Sequence, residues 1–104
     1  MAGVERPDVP LCLITLRYVV PLEEVDQHMQ AHVAWLAKGY EEGIFLVSGR
    51  QVPRTGGVIL SRGHKREVEA LTATDPFVSS GSAVAEVIEF TASMAADGFT
   101  ALLA

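Results

Sequence analysis

Residues 11–43 read LCLITLRYVVPLEEVDQHMQAHVAWLAKGYEEG, and a change of period inside them decides the fold. Over 11–20 the side chains alternate. Cys12, Ile14, Leu16 and Tyr18 make one apolar face and Leu13, Thr15 and Arg17 a mixed one, which predicts a strand with something against both faces. Pro21 then suits the first turn of a helix, where its missing N–H would be unpaired anyway. Glu23, Glu24 and Asp26 set negative charge against the helix's positive end. From there Leu22, Val25, Met29, Val33, Leu36 and Tyr40 recur at steps of three and four, so one continuous helix is expected to lay this stripe on a sheet and to stop at Gly43.

Working outward from that unit, residues 44–48 (Ile-Phe-Leu-Val-Ser) are apolar enough for a strand covered on both sides. Turn residues then cluster over 49–56, with Pro53 and Gly56 among them, and lead into a second short strand at 57–61, which makes a hairpin with a longish loop. Residues 65–73 form a shorter helix with Val68, Leu71 and Thr72 inward. It halts before Pro76, which disfavours helical geometry at Asp75. Over 84–90, Val84, Glu86, Ile88 and Phe90 alternate with Ala85, Val87 and Glu89, a strand whose charges must reach an edge or a cavity. The element order β-α-β-β-α-β is that of a ferredoxin-like α+β fold, a four-stranded antiparallel sheet with both helices on one face. The other face is left bare, and two such faces would pair as a dimeric α+β barrel around a cavity. A homodimer is therefore expected.

The length of 104 residues suits one domain. We read residues 1–10 as a flexible N-terminal extension, 11–92 as the domain, and 93–104 as a small-residue-rich C-terminal tail in which Phe99, Leu102 and Leu103 are apolar. Nearly half the residues, 49%, are hydrophobic, and the mean hydropathy is +0.28; part of that apolar surface is expected in a subunit contact. The longest nearly uncharged apolar run, 9–16, falls far short of the roughly 20 residues of a spanning helix, so no membrane partner is expected. Glu5, Arg6, Asp8 and the early prolines do not resemble a secretion signal, and a cytoplasmic location is expected. The net charge is −5 and the densest basic cluster is only Arg62, Lys65 and Arg66, so nucleic acid is not an expected partner. Cys12, the only cysteine, lies between Leu11 and Leu13 and reads as a buried thiol rather than a nucleophile.

Among candidate functional residues, His32 is the foremost. It follows His28 by one turn and keeps step with Met29 and Leu36, which puts it at the edge of the packing stripe rather than on the solvated back of the helix. An imidazole there is either a part-buried group satisfied by a nearby acceptor or a general base. His28 and His32 have the spacing of two imidazoles sharing a metal. However, Met29 stands where metalloprotease helices carry glutamate, no further ligand cluster is evident, and no metal is expected. Asp75 ordinarily would cap the turn that follows it; its sharper role would be to orient an imidazole and stabilise its positive charge. Ser48, Gly49 and Arg50 end a strand where a hydroxyl, open amides and a guanidinium could face an anion, although most such ends are only turns. Arg17 points from the mixed face toward a sheet-lined cavity and needs a carboxylate, Glu86 or Glu89 or an acidic ligand; the internal ion pair is favoured because it needs no ligand. Trp35 and Tyr40 read as core or interface anchors, and Gly56-Gly57 lacks the lysine and glycine spacing of a phosphate loop.

The runs Ala31-His32-Val33-Ala34-Trp35-Leu36, Gly43-Ile44-Phe45-Leu46-Val47-Ser48-Gly49, Gly56-Gly57-Val58-Ile59-Leu60, Asp75-Pro76-Phe77 and Ala85-Glu86-Val87-Ile88-Glu89-Phe90 resemble the YCII-related family over about residues 11–92. The resemblance implies a dimeric α+β barrel of ferredoxin-like subunits, with the family's active-site histidine falling on His32 and its aspartate on Asp75. A similar member acts as a dehydrochlorinase on a chlorinated hydroxyquinol without metal or organic cofactor, and the wider superfamily includes muconolactone isomerases and small monooxygenases. The chain departs from the usual family pattern at Arg50, where proline often follows Ser-Gly, and in its longer tails. The expected function is a cofactor-independent lyase or isomerase moving a proton on a small aromatic or lactone-like molecule. His32 and Asp75 would be catalytic, with Arg17, Ser48 and Gly49 in contact with the substrate. The alternative is a non-catalytic small-molecule-binding or oligomeric interaction module.

Overall fold

The computed structural model describes residues 3–103. A two-residue strand, β1 (Val4–Glu5), precedes β2 (Pro10–Tyr18), whose predicted alternation is realised: Cys12, Ile14 and Leu16 are at most 2% exposed, while Arg17 on the other face is open to solvent. Two helices follow, α1 (Leu22–Asp26) and α2 (Met29–Glu41), and then the hairpin β3 (Phe45–Arg50) and β4 (Gly56–Arg62). The chain continues through α3 (Lys65–Thr72), the single turn α4 (Pro76–Ser79) and β5 (Ala83–Thr91). The four long strands form one antiparallel sheet in the order β3-β4-β2-β5, with β2 central and Ile14 facing Ile59 of β4 and Val87 of β5 across its two ladders. All three side chains are buried on the helix-bearing face, beside Val25, Phe45, Val68 and Phe77. This is the ferredoxin-like α+β arrangement expected from the element order.

The expected single helix is interrupted at Gln27 and His28. The break has a packing consequence. Val25 is the buried residue of α1, and α2 is then free to turn its His32 and Gly39 inward, with Met29, Trp35 and Leu36 against the core. Val33 and Tyr40, counted in the expected stripe, are instead 52% and 40% exposed. Gly39 explains the choice of face, because a Cβ built on it would lie 2.2 Å from ring carbons of Phe45. The helix seats its backbone on an aromatic ring where a larger residue would hold it off.

β3 also differs from its expectation of cover on both sides. It is an edge strand, and Val47 on the helix-free face is 59% exposed. That face also presents Val84, Ile88 and Phe90 to solvent. The described parts of the tails hold each other. β1 pairs antiparallel with β6 (Ala95–Ala96), and the Glu5 carboxylate accepts the N–H groups of Gly98 (2.9 Å) and Thr100 (2.7 Å). Phe99–Leu103 forms a 3-10 turn whose Leu102 and Leu103 carbonyls accept from the Arg62 guanidinium. Residues 1, 2 and 104, the outermost positions of the two tails, lie outside the described residues.

Candidate active site

Asp75 is the N-cap of α4 and Pro76 its first residue, the position where proline's fixed φ and missing N–H cost nothing. The Asp75 carboxylate oxygen Oδ1 accepts the Phe77 N–H at 3.0 Å and, at 2.8 Å, meets Nδ1 of His32 from α2. The two residues therefore meet within one chain. Asp75 is fully buried and His32 is 8% exposed. Since Oδ1 already accepts a backbone N–H, Nδ1 is read as the ring nitrogen that carries hydrogen, which leaves the lone pair on Nε2. The second carboxylate oxygen, Oδ2, is buried without a hydrogen-bond partner among the described residues.

Packing fixes the ring as firmly as the hydrogen bond does. The imidazole stacks on Phe77, with centroids 3.9 Å apart and planes 13° from parallel, and lies nearly parallel to Trp35 on its own helix. Trp35 donates its Nε1–H to Thr74 Oγ1 at 2.9 Å, which ties α2 to the segment that carries Asp75. Held between an acceptor and an aromatic face, the imidazole has little freedom to turn.

In front of His32 lies a mostly apolar pocket of about 240 Å³ between α2 and the β2, β3 and β4 end of the sheet. Ser48, Gly49 and Arg50 all border it. A β-bulge brings them there. Phe45 pairs with Ser61 and Val47 with Leu60, so Leu46 is one residue too many for the ladder, and the facing of every later residue on β3 is reversed. Ser48 then pairs with Ile59 and Arg50 with Gly57, both on the helix-bearing face. The Ser48 hydroxyl meets that of Tyr40 at 2.5 Å, linking β3 to α2.

The structure brings His32, Asp75, Ser48, Gly49 and Arg50 together and sets Arg17 apart. Arg17 lies on the helix-free face beside a second hollow that it shares with Val84 and Glu86, and among the described residues it forms no ion pair with Glu86 or Glu89. Glu89 instead accepts the backbone N–H of Lys65 at 2.5 Å, at the start of α3, and faces His64; the backbone hydrogen bond holds its carboxyl below the usual range. Sequence reasoning missed Arg54 altogether. It borders the pocket, pairs with Asp26 at 2.5 Å and lies over the Tyr18 ring, 5.9 Å from its centroid. No spacing signal marks it, because its neighbours come from β2 and α1.

Other candidates find ordinary places. His28 is the N-cap residue of α2, and no group of three or more His, Cys, Asp or Glu side chains suited to a metal occurs among the described residues. The Cys12 thiol is buried and donates to the Gly63 carbonyl at 3.3 Å, and burial pushes its pKa up, away from nucleophilic use. Among the described residues no helix is long and apolar enough to cross a membrane.

Comparison with known proteins bears on this geometry. The family model for the YCII-related domain matches residues 10–91. No curated protein matches the chain. Among solved structures, the chain is similar to 5-chloro-2-hydroxyhydroquinone dehydrochlorinase from Burkholderia phenoliruptrix AC1100, in complex with 2,5-dihydroxybenzoquinone. The TM-score is 0.60 and the identity 20%, with 76% of this chain and 90% of that one covered. At that identity the likeness concerns the fold.

Proposed function

The chain belongs to the YCII-related domain family, and from that premise we propose that it is a cofactor-independent lyase or isomerase acting on a small aromatic or lactone-like molecule. In this reading Nε2 of His32 takes a proton from a carbon or hydroxyl of the substrate, and Asp75 holds the ring and stabilises the imidazolium that forms. In an isomerisation the same nitrogen returns the proton to another atom of the molecule; in an elimination the electron pair of the broken C–H or O–H bond drives a leaving group such as chloride out with its own bonding pair, and the proton passes to solvent. A base positioned in this way contributes about 10²–10⁴-fold. The observation that carries the reading is the 2.8 Å contact between His32 Nδ1 and Asp75 Oδ1 beside an apolar pocket. Ser48 and Gly49 form the pocket wall against the substrate. The ligand in the similar dehydrochlorinase structure, a small hydroxylated quinone, supports a flat occupant of this size class.

The domain proper is assigned to residues 11–92, with 1–10 and 93–104 as tails, and the working location is cytoplasmic. Two copies are proposed to pair through the helix-free sheet face, where Val47, Val84, Ile88 and Phe90 are exposed. That pairing would enclose Arg17 at the interface, where any ligand contact it makes would lie in the hollow it shares with Val84 and Glu86, across the sheet from the His32 pocket.

The test follows solvent deuterium incorporation and chloride release with chlorinated hydroxyquinols and small lactones, for the native chain and for His32→Ala. Exchange or release that disappears in His32→Ala, with the fold intact, is the expected result. Equal rates in both proteins would overturn the assignment of His32. Saturable binding without exchange would favour the alternative, a module that binds a small molecule without transforming it.

A further inference from the structure

The pocket in front of His32 is bordered by an exposed arginine, Arg50, without a partner among the described side chains, and the β3 bulge puts it there. Two arginines border the pocket, Arg50 and Arg54. They are not equivalent. Arg54 is paired with Asp26 at 2.5 Å and rests over Tyr18, so its charge is already answered. Arg50 forms no ion pair or side-chain hydrogen bond among the described residues. Its place follows from the bulge at Phe45–Val47: with regular alternation, Arg50 would stand on the face opposite to Phe45. With the extra residue it stands opposite Gly57, on the same side as Ile59 and the pocket, and Gly57 has no side chain to fill the space before it.

No carboxylate lines this pocket; Asp75 lies behind the His32 ring, already accepting two hydrogen bonds. The chain as a whole carries −5, so a cation left without a partner at the mouth of an otherwise apolar cavity runs against the general charge balance. A guanidinium presents a planar fork of donors that suits a carboxylate or another flat oxyanion, and such bonds are stronger than neutral ones.

From this arrangement we infer that Arg50 selects an anionic ligand: the pocket takes a small planar molecule bearing a carboxylate or an ionised ring hydroxyl, with that group on Arg50 and the ring between α2 and the sheet. The inference rests on the reading of this pocket as the substrate site and names its substrate class. Arg50 is thereby a specificity residue, distinct from the His32–Asp75 pair that handles the proton.

Binding tests it without any need for turnover. The probes are 3,4-dihydroxybenzoate and its neutral isostere 3,4-dihydroxybenzamide, titrated against the native chain with backbone amide NMR shifts and Trp35 fluorescence as readouts. The carboxylate is expected to bind at least about tenfold more tightly than the amide, or about 1.4 kcal/mol. That preference should fall as salt is raised, disappear in Arg50→Gln and survive in part in Arg50→Lys. Arg66→Gln, remote from the pocket lining, should leave it unchanged. Equal affinities for the two probes, no binding of the carboxylate at millimolar concentration, or a preference untouched by Arg50→Gln would overturn the inference. His32→Ala should retain the preference, so a failure of the proton-transfer reading and a failure of the anion reading give different results.

Discussion

The imidazole of His32 lies against the ring of Phe77, 3.9 Å between centroids and 13° from parallel, and the carboxylate that orients it belongs to a residue only two positions earlier, Asp75. One tripeptide thus supplies two things to a helix far away in sequence, a hydrogen-bond acceptor from Asp75 and an aromatic floor from Phe77, while Pro76 between them starts α4. The Phe77 N–H and the His32 Nδ1 converge on one oxygen, so the turn cannot loosen without releasing the imidazole.

Asp75→Asn should therefore separate positioning from folding. An asparagine can still cap α4, since it serves as well as aspartate at an N-cap. Its amide, however, either leaves two N–H groups buried without acceptors or turns to offer an N–H toward Nδ1. The first costs about 1–3 kcal/mol. The second gives up the Phe77 cap, which shares that position, moves hydrogen to Nε2 and takes away its lone pair. Proton exchange on a substrate should fall about 10²–10⁴-fold. Nitrogen NMR of the His32 ring should report the change of tautomer, which a purely structural role for Asp75 would not produce. An unchanged rate and tautomer would end the orienting role.

How far this site was legible in the sequence depended on which signals are local. The alternation over 11–20 and 84–90 gave β2 and β5 nearly to their ends, because each strand has one face in the core and its period is written in its own residues. Residues 44–47 are apolar throughout and carry no such period, so neither the bulge nor the facing of Ser48 and Arg50 is visible there; both depend on the ladder to β4. His32 was picked out by its position among packing residues. Hydrophobic spacing alone turns Val33 and Tyr40 inward, whereas the close approach of Gly39 to Phe45 leaves both exposed. For Asp75, capping and imidazole contact read as alternatives in the sequence, and one oxygen does both.

Two glycines should prove intolerant for different reasons. A Cβ on Gly39 would lie 2.2 Å from the Phe45 ring, and one on Gly56 would lie 1.7 Å from the Leu16 carbonyl oxygen. Gly39→Ala gains helix propensity of up to about 1 kcal/mol, but overpacking costs about 1–3 kcal/mol. A net loss is expected in urea unfolding. Truncating the ring in Phe45→Leu should make that loss smaller, because the two residues share one contact. Gly56→Ala meets backbone, which no rotamer change can relieve, so it should cost about 3 kcal/mol or more whatever stands at position 45. If Gly39→Ala were stabilising, the seating of α2 on Phe45 would be wrong.

The joined tails should loosen in acid. Backbone hydrogen bonds from Gly98 and Thr100 hold the Glu5 carboxyl down to about 2, against an ordinary value of 4.5. A carboxyl depressed on folding stabilises the folded form above its unfolded value, and that contribution is lost as pH falls from about 4.5 toward about 2. Amide hydrogen exchange at Gly98 and Thr100 should therefore speed up over that window once the intrinsic pH dependence is subtracted. Glu5→Gln should show the faster exchange already at neutral pH. Exchange in the native chain that matches Glu5→Gln at neutral pH would mean that the carboxylate does not hold the tail.

The helix-free sheet face gives the last prediction. Val47 is 59% exposed, Ile88 53%, Val84 45% and Phe90 43%, on strands that span the sheet from one edge to the other. Scattered single hydrophobes need no explanation, but several on one flat face mark an association surface. Two such faces packed together would also cover Leu13 and Leu60, which the sheet alone leaves half-buried. Sedimentation should accordingly give a particle of twice the chain mass of 11.2 kDa. Ile88→Lys sets a charge among the exposed hydrophobes of that face and should shift the particle to the monomer mass while the far-ultraviolet spectrum is retained. Charge added on the opposite side of the molecule, as in Ala37→Lys on the exposed back of α2, should not. The two variants also divide the site: His32 and Asp75 meet within one chain, so a monomeric Ile88→Lys should keep their hydrogen bond and lose only what Arg17 adds from the enclosed face. A native chain that sediments as a monomer at tens of micromolar would leave that apolar face without its proposed cover and Arg17 open to solvent.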